Sequence, residues 1–387
     1  MTRFLCLSTT DWDAPQFGSR QHIALQLSRR GHQVLFVEIP RALHSFISDP
    51  AGTRRALRRV GRIRQISGGP LVYTPFPVLP IYYSPLINAI NQRLLLVYLR
   101  RALLRVGWRP DVLWTYWPHT GHLLGRLGER AAVYHCIDDF TAVRYPLVRA
   151  ATIARLEANL CRRVDLVFAR TRRLATAKGQ FNPNTYLLPG GVDVSQFDPT
   201  RVGPPRADVA ALPRPRAGLV GTIDDRVDVK LLVRCAEHMP HTAFVLVGPV
   251  KRHRVDIHDL EGLPNVHLLP PCAHTQVPAI VATFDVCLIP YRVNAYTEEL
   301  SPIKLYEGLA LGKPVVATDL PYLRREADHI SVARTADQFV AEVQRSLVSP
   351  PTAKQRARWR SVATANSWER QVDQIERHLT TALEGKR

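Results

Sequence analysis

The most specific chemistry in this 387-residue chain lies in residues 296–318, where two carboxylates and a lysine fall close together. Ser301 is a good N-cap, and Pro302 suits a first helical position, where its missing N–H would be unpaired anyway. A helix starting there would turn free N–H groups and a partial positive charge towards an anion such as a phosphate. Lys304 would add a full charge in the same turn. Glu307 shares its face one turn deeper and could accept hydrogen bonds from the hydroxyls of a ribose. Glu299 precedes the helix, nearer to where a sugar on the phosphates would project, and Gly312 ends it. A bare E-x7-E is common by chance; the cap, the lysine on one face with Glu307 and the terminating glycine set this one apart.

A second group of candidates lies in the first half. The strand expected at 131–136 ends in His135-Cys136-Ile137-Asp138-Asp139. Polar groups at the carboxyl end of a parallel strand are poor core material and suit a cleft. His135, Asp138 and Asp139 are therefore catalytic candidates. The loop after the first strand offers Asp11 and Asp13, and the helix after it Arg20 and His22, as acceptor-side candidates. Acidic loop residues also serve simply as turn formers. His119 and His122 are spaced for a metal but have no evident third ligand, so no metal site is expected. The first loop contains no G-x-G-x-x-G, which weakens a dinucleotide-binding reading.

Alternating strands and helices must position these groups. Strand 3–8, a helix opening at Ser19 and stopped by Gly31, and strand 34–39 form a βαβ unit, which implies a parallel sheet. The alternation continues with helix 91–106, strand 112–115, helix 119–127, strand 131–136, helix 151–161 and strands 166–169 and 185–188. Pro189-Gly190-Gly191 breaks it, and 198–216 is proline-rich without periodicity. A second series follows: strand 217–220, helix 229–238, strands 243–247 and 266–268, helix 276–282, strand 286–289, helix 302–311 and strand 314–317. Asn366 and Glu369 form a candidate capping box for a last helix through Leu379. The expected division is 1–188, a linker at 189–216, 217–365, and a terminal helix, 366–387, returning to the first domain. Two doubly wound units would leave ligands at the carboxyl ends of their strands.

The six cysteines are scattered without a CxxC pair, which argues against a disulfide framework and favours a reducing cytoplasm. The apolar tract 71–90 contains Pro75, Pro77, Pro80 and Pro85, so it cannot span a membrane as a helix. Net charge is +19; residues 1–185 hold 27 Lys and Arg against 10 Asp and Glu, which leaves them at +17. The arginines at 54–64 are densest, and with the apolar tract beside them they suggest peripheral docking on an anionic membrane surface. A nucleic-acid-binding reading rests on the same charge. It lacks a helix-turn-helix signal or an aromatic–basic stacking motif, so no nucleic-acid partner is expected.

The block Glu299-x7-Glu307, followed by Ala310-Leu311-Gly312-Lys313-Pro314-Val315-Val316-Ala317-Thr318, resembles the signature of GT-B glycosyltransferases of the family-4, or group 1, type. Ser301-Pro302-x-Lys304-Leu305-x-Glu307 is similar to a subgroup containing teichuronic-acid and exopolysaccharide glycosyltransferases. Asp11-Trp12-Asp13, Cys136-Ile137-Asp138-Asp139-Phe140, Leu188-Pro189-Gly190-Gly191-Val192-Asp193, the run from Gly221 to Asp228, and Ser367-Trp368-Glu369 extend the likeness along the chain. The resemblance implies an α/β GT-B fold of two facing Rossmann-like domains, with acceptor in the first and nucleotide sugar in the second. It implies transfer from a UDP- or GDP-sugar to a lipid-linked or glycan acceptor, with retained configuration and without a metal or other cofactor. Glu307 would bind the ribose and Glu299 the transferred sugar. The family's arginine and lysine after the glycine matching Gly221 are not both present: Thr222 takes the arginine position. Arg226 and Lys304 are then the expected diphosphate clamp, with Lys230 as an alternative. A catalytically silent scaffold and a sugar-nucleotide epimerase of the same architecture are the competing readings.

Overall fold

The computed structural model describes residues 1–14, 17–41, 54, 57–79, 84–141, 149–294, 297 and 300–385. The chain divides into two compact units, Met1–Pro189 with Gln371–Arg387, and Gly190–Arg370.

The first unit is built on an eight-stranded sheet in the order β3-β4-β2-β1-β5-β6-β7-β8. Its strands are β1 (Arg3–Leu7), β2 (Gln33–Val37), β3 (Ile63–Gln65), β4 (Leu71–Tyr73), β5 (Val112–Thr115), β6 (Ala131–Cys136), β7 (Leu166–Ala169) and β8 (Thr185–Leu187). All pair in parallel except β3, which runs antiparallel to β4 at the edge. Residues such as Leu5, Leu35, Leu113, Val133 and Val167 are wholly buried, as expected for a parallel sheet covered on both faces. The helices are α1 (Ser19–Arg29), α2 (Pro85–Val106), α3 (Ala150–Cys161) and α4 (Arg172–Gly179). Gly31 lies just past α1 at φ 83°, the left-handed conformation that ends a helix at little cost in glycine.

The second unit holds a parallel six-stranded sheet in the order β11-β10-β9-β12-β13-β14. Its elements run α5 (Ala207–Ala210), β9 (Arg216–Val220), α6 (Val229–His238), β10 (Ala243–Val247), α7 (His258–Glu261), β11 (Val266–Leu269), α8 (Val277–Ala282), β12 (Val286–Ile289), α9 (Lys304–Ala310), β13 (Val315–Thr318), α10 (Pro321–Arg324), β14 (Ser331–Ala333), α11 (Ala336–Val348) and α12 (Ala353–Ala365). Asp228 caps α6 by accepting from the Leu231 N–H, and Thr335 caps α11 likewise from Gln338. The last helix, α13 (Trp368–Glu384), contributes its residues from Gln371 onward to the first unit. There Arg30 pairs with Asp373 and Glu376, the Gln374 amide donates to the Leu187 carbonyl at 2.9 Å, and the His378 ring stacks on Tyr186 at 3.5 Å.

The structure departs from two expected elements and places the expected linker. The segment 119–127 forms only a 3₁₀ turn at Gly121–Leu123, because Gly125 and Gly128, both at positive φ, interrupt any longer helix. The segment expected as a linker, 189–216, groups from Gly190 onward with the second unit. There a Cβ on Gly191 would lie 3.0 Å from the Asn366 carbonyl, and the Trp368 N–H donates to the Val192 carbonyl. The helix expected from Pro302 begins at Lys304 and spans seven residues, with Ile303 at the N-cap rather than Ser301.

Candidate functional site

The second unit brings its candidates together at the carboxyl ends of β9 and β10. Gly221 follows β9 at φ +149°, and Gly248 follows β10 at φ +147°. The two touch: a Cβ on Gly248 would sit 2.1 Å from the Gly221 carbonyl oxygen, so only glycine fits. Gly221 is also met by Lys304, whose Nζ and Cε lie 2.6 Å from where a Cβ would stand. An ammonium thus rests against bare backbone at a strand end, a charge suited to a phosphate. Gly190 supports the lysine's segment from behind, with room for a Cβ only 3.0 Å from Ile303 Cγ2.

Glu307, three residues along α9, is 7 % exposed. Burial raises its pKa, with the Lys304 charge opposing. Its backbone N–H donates to the Ile303 carbonyl. Among the described residues none donates a hydrogen bond to its carboxylate. A buried carboxylate without donors is costly in the free protein and suited to ligand hydroxyls. Glu299 lies outside the described residues.

Arg226, expected in the diphosphate clamp, is engaged within its own turn. Its guanidinium makes a two-pronged pair with Asp224 in its own turn, Nε and Nη2 each 2.7 Å from a carboxylate oxygen. Burial would raise the Asp224 pKa, but Arg226 more than offsets this and lowers it. Asp224 holds the arginine so firmly that a phosphate would have to displace it. Thr222 is buried beside Gly221, and Lys230 is exposed on α6. Lys304 is the cation that, among the described residues, lies directly against Gly221. Sequence reasoning missed the Gly221–Gly248 contact, although each glycine directly follows an apolar strand.

The candidates of the first unit are sorted differently by the fold. His135 does not open into solvent. It is 1 % exposed, packed 5.0 Å from the Tyr116 ring and 5.7 Å from Trp114. Burial lowers its pKa to about 3, with Arg20 and Arg170 adding to the effect, so the ring is neutral near pH 7. In the structure it packs among these rings, because β6 is buried on both faces. Asp139 is likewise taken up: it accepts from the Thr141 N–H at 3.0 Å and from Arg173 at 3.0 Å. Burial alone would raise its pKa, but these partners lower it. Asp138 stays half exposed, 3.8 Å from the Arg20 guanidinium. Arg20 is largely enclosed over the Tyr116 ring, and burial lowers its pKa to about 10.

His22 is also a core residue, 3 % exposed and edge-on to Phe17 at 4.8 Å. Asp11 pairs with Arg41, and burial nevertheless raises its pKa. Asp13 pairs with Arg59 and Arg64, and Arg64 also reaches the buried Glu38 at 3.0 Å. Both aspartates are therefore neutralised within the fold, and part of the basic run at 54–64 is spent on them. No motif pointed to Glu38, which also accepts from the Trp12 N–H at 3.0 Å. Behind β6, a buried Glu157 accepts from the Tyr134 hydroxyl at 2.6 Å and from Lys178 at 2.7 Å. His119 is buried, and among the described residues no group of three or more His, Cys, Asp or Glu could hold a metal ion.

Residues 214–348, which carry the whole second sheet and α9, match the family model described as Glycosyl transferases group 1. A 137-residue stretch is 31% identical to "Putative teichuronic acid biosynthesis glycosyltransferase TuaH" of Bacillus subtilis (strain 168), covering 35% of this chain and 34% of that relative. The match thus spans about a third of the curated relative. Along nearly its full length the fold is similar to that of Anabaena Alr3699/HepE, solved in complex with UDP and glucose (TM-score 0.67, 16% identity, 98% of this chain and 100% of that one). It is also similar to an α,α-trehalose-phosphate synthase (UDP-forming) from Burkholderia vietnamiensis (TM-score 0.69, 12% identity, 99% of this chain and 98% of that one). The chain has the GT-B fold. Its second unit resembles the group 1 glycosyltransferases, with the teichuronic-acid type among its relatives.

Proposed function

We propose that this chain transfers a sugar from a UDP- or GDP-sugar to a hydroxyl of a lipid-linked or polysaccharide acceptor, with retention at the anomeric carbon. One observation carries the reading: Lys304 lies against the bare backbone of Gly221 while the buried Glu307 accepts no hydrogen bond from a described residue. The lysine would seat the diphosphate and the carboxylate the ribose hydroxyls. As the glycosidic bond breaks, charge grows on the leaving diphosphate, and the Lys304 ammonium would meet it without a metal. The UDP and glucose bound by the Anabaena relative support a nucleoside diphosphate donor, and the teichuronic-acid relative supports a cell-surface glycan acceptor. On the acceptor side, Asp138 is the exposed carboxylate at the end of β6, held towards Arg20.

The test has two stages. UDP and GDP are screened by thermal shift, and one of them should raise the melting temperature. The matching sugar nucleotide is then incubated with and without a lipid-linked acceptor, in the presence of EDTA. Release of nucleoside diphosphate that depends on acceptor supports transfer. Interconversion of the sugar nucleotide without acceptor would make the chain an epimerase. Binding with neither reaction would make it a silent scaffold, and a reaction lost in EDTA would overturn the metal-free mechanism.

A further inference from the structure

The helix α2 is amphipathic in an unusual sense. Its inner face buries Asn88, Leu95, Leu99, Ala102 and Leu103 against the first sheet. Its outer face is apolar too: Leu86 is 73 % exposed, Ile90 37 %, Leu94 37 %, Val97 45 % and Leu104 82 %. At 100° per residue these five fall within one stripe, about 27 Å long from Leu86 to Leu104. Arg93 and Arg100 flank it on one side, and Arg105 on the other, with Arg101 set within it. The helix contains no Asp or Glu. Arg100 and Arg105 donate to the carbonyls of Arg126 and Gly61, at 3.0 and 2.7 Å, so their charge is not cancelled. Among the described residues no carboxylate lies within ion-pair distance of any of these four arginines. Phe76, 42 % exposed, packs on Tyr98 at 4.9 Å and widens the apolar strip.

We propose that this outer face of α2 docks the chain flat on an anionic lipid bilayer. The apolar stripe would sink to the boundary of the acyl chains while the arginines reach the headgroup phosphates. Charge complementarity selects this occupant. A second copy packed through the same face would bring arginines against arginines, whereas an anionic bilayer answers every one of them. None of the described helices is long and apolar enough to cross a membrane, so the mode is interfacial. The surface differs from the basic run at 54–64, where Arg59 and Arg64 are engaged by Asp13 and Glu38. It is also independent of sugar transfer, so failure of donor binding would leave it standing.

Co-sedimentation of the full chain with phosphatidylcholine vesicles, with and without phosphatidylglycerol, tests the idea. The wild type should pellet with the anionic vesicles and release as salt rises. The double variants Leu94→Glu/Val97→Glu and Arg93→Glu/Arg101→Glu should each lose at least about tenfold in partitioning. The arginine pair is exposed and leaves the core untouched, so it decides the matter alone should the apolar pair misfold. Three results would overturn the proposal. They are wild-type partitioning by the arginine variant, equal binding to neutral vesicles, and a concentration-dependent dimer abolished by the same variants, which would assign the face to a second copy.

Discussion

Replacing Glu307 by glutamine separates the cost of this residue from its use. In the free protein the carboxylate is buried, accepts no hydrogen bond from a described residue and has Lys304 as its nearby opposing charge. Removing the charge should leave the free protein as stable as before, or up to about 2 kcal/mol more stable. At about 2–4 °C per kcal/mol for a unit of this size, its melting point should hold or rise by several degrees. Nucleotide binding should move the other way. Hydrogen bonds to a charged acceptor are worth about 1.5–3 kcal/mol each. A glutamine that keeps an acceptor oxygen but loses the charge should forfeit roughly that amount once, or about 10- to 150-fold in Kd. The pH dependence has a definite sign. The folded-state pKa lies above the unfolded 4.5, so the folded chain binds the proton more tightly in that window. Stability from this group is therefore present below 4.5 and lost as pH rises through the raised value. Nucleotide affinity, which needs the ionised form, should instead increase over the same range, and both trends should vanish in the variant. Differential scanning fluorimetry and isothermal titration with the nucleotide that stabilises the wild type read both quantities. A variant that binds the nucleotide like wild type, or one that melts several degrees lower, would refute the assignment and make Glu307 a structural anchor.

Gly221→Ala should be more damaging than its size suggests. The new Cβ must displace Lys304 and hold a φ of +149°, so nucleotide affinity should fall at least as far as in Lys304→Met; an alanine variant with unchanged affinity would separate the lysine from the site. On the acceptor side, His135→Phe should preserve folding and most transfer, because the ring sits among Trp114, Tyr116 and Phe168. Asp138→Asn should keep donor-induced stabilisation and lose most of kcat. A dead His135→Phe that is fully folded, or a fully active Asp138→Asn, would reverse the two roles.

The elements that the sequence made legible are those with both a pattern and a stop. β5, β6, β7, β10, β12 and α6 lie at the residues expected because short apolar runs are bounded by turn formers or caps. The β3–β4 hairpin escaped, since Ile63–Gln65 is a short stretch in an arginine-rich segment with no alternation to mark it. At the site, Lys304 and Glu307 were readable because both lie on one short helix, where spacing along the chain fixes spacing in space. The ion pair of Arg226 was not legible, for the complementary reason. Its partner Asp224 is two residues away, and a turn rather than a helix determines whether the two meet.

The first unit shows the same limit at longer range. Asp11, Asp13 and Glu38 stand after β1 and β2, and the arginines that satisfy them come from positions 41, 59 and 64. Nothing local predicts those pairings, and a count of charges cannot distinguish an arginine spent on a buried carboxylate from one left to face solvent. The excess of +17 in residues 1–185 was therefore a correct quantity with an undetermined address. The first sheet fixes part of it, by bringing Arg64 of β3 to Asp13 and Glu38, which follow β1 and β2. The surface of α2 holds another part, four arginines beside exposed leucines with no carboxylate in the helix. Charge that is neutralised inside the fold stabilises the loops around the acceptor-side candidates, and charge that is not neutralised remains available to a surface outside the chain.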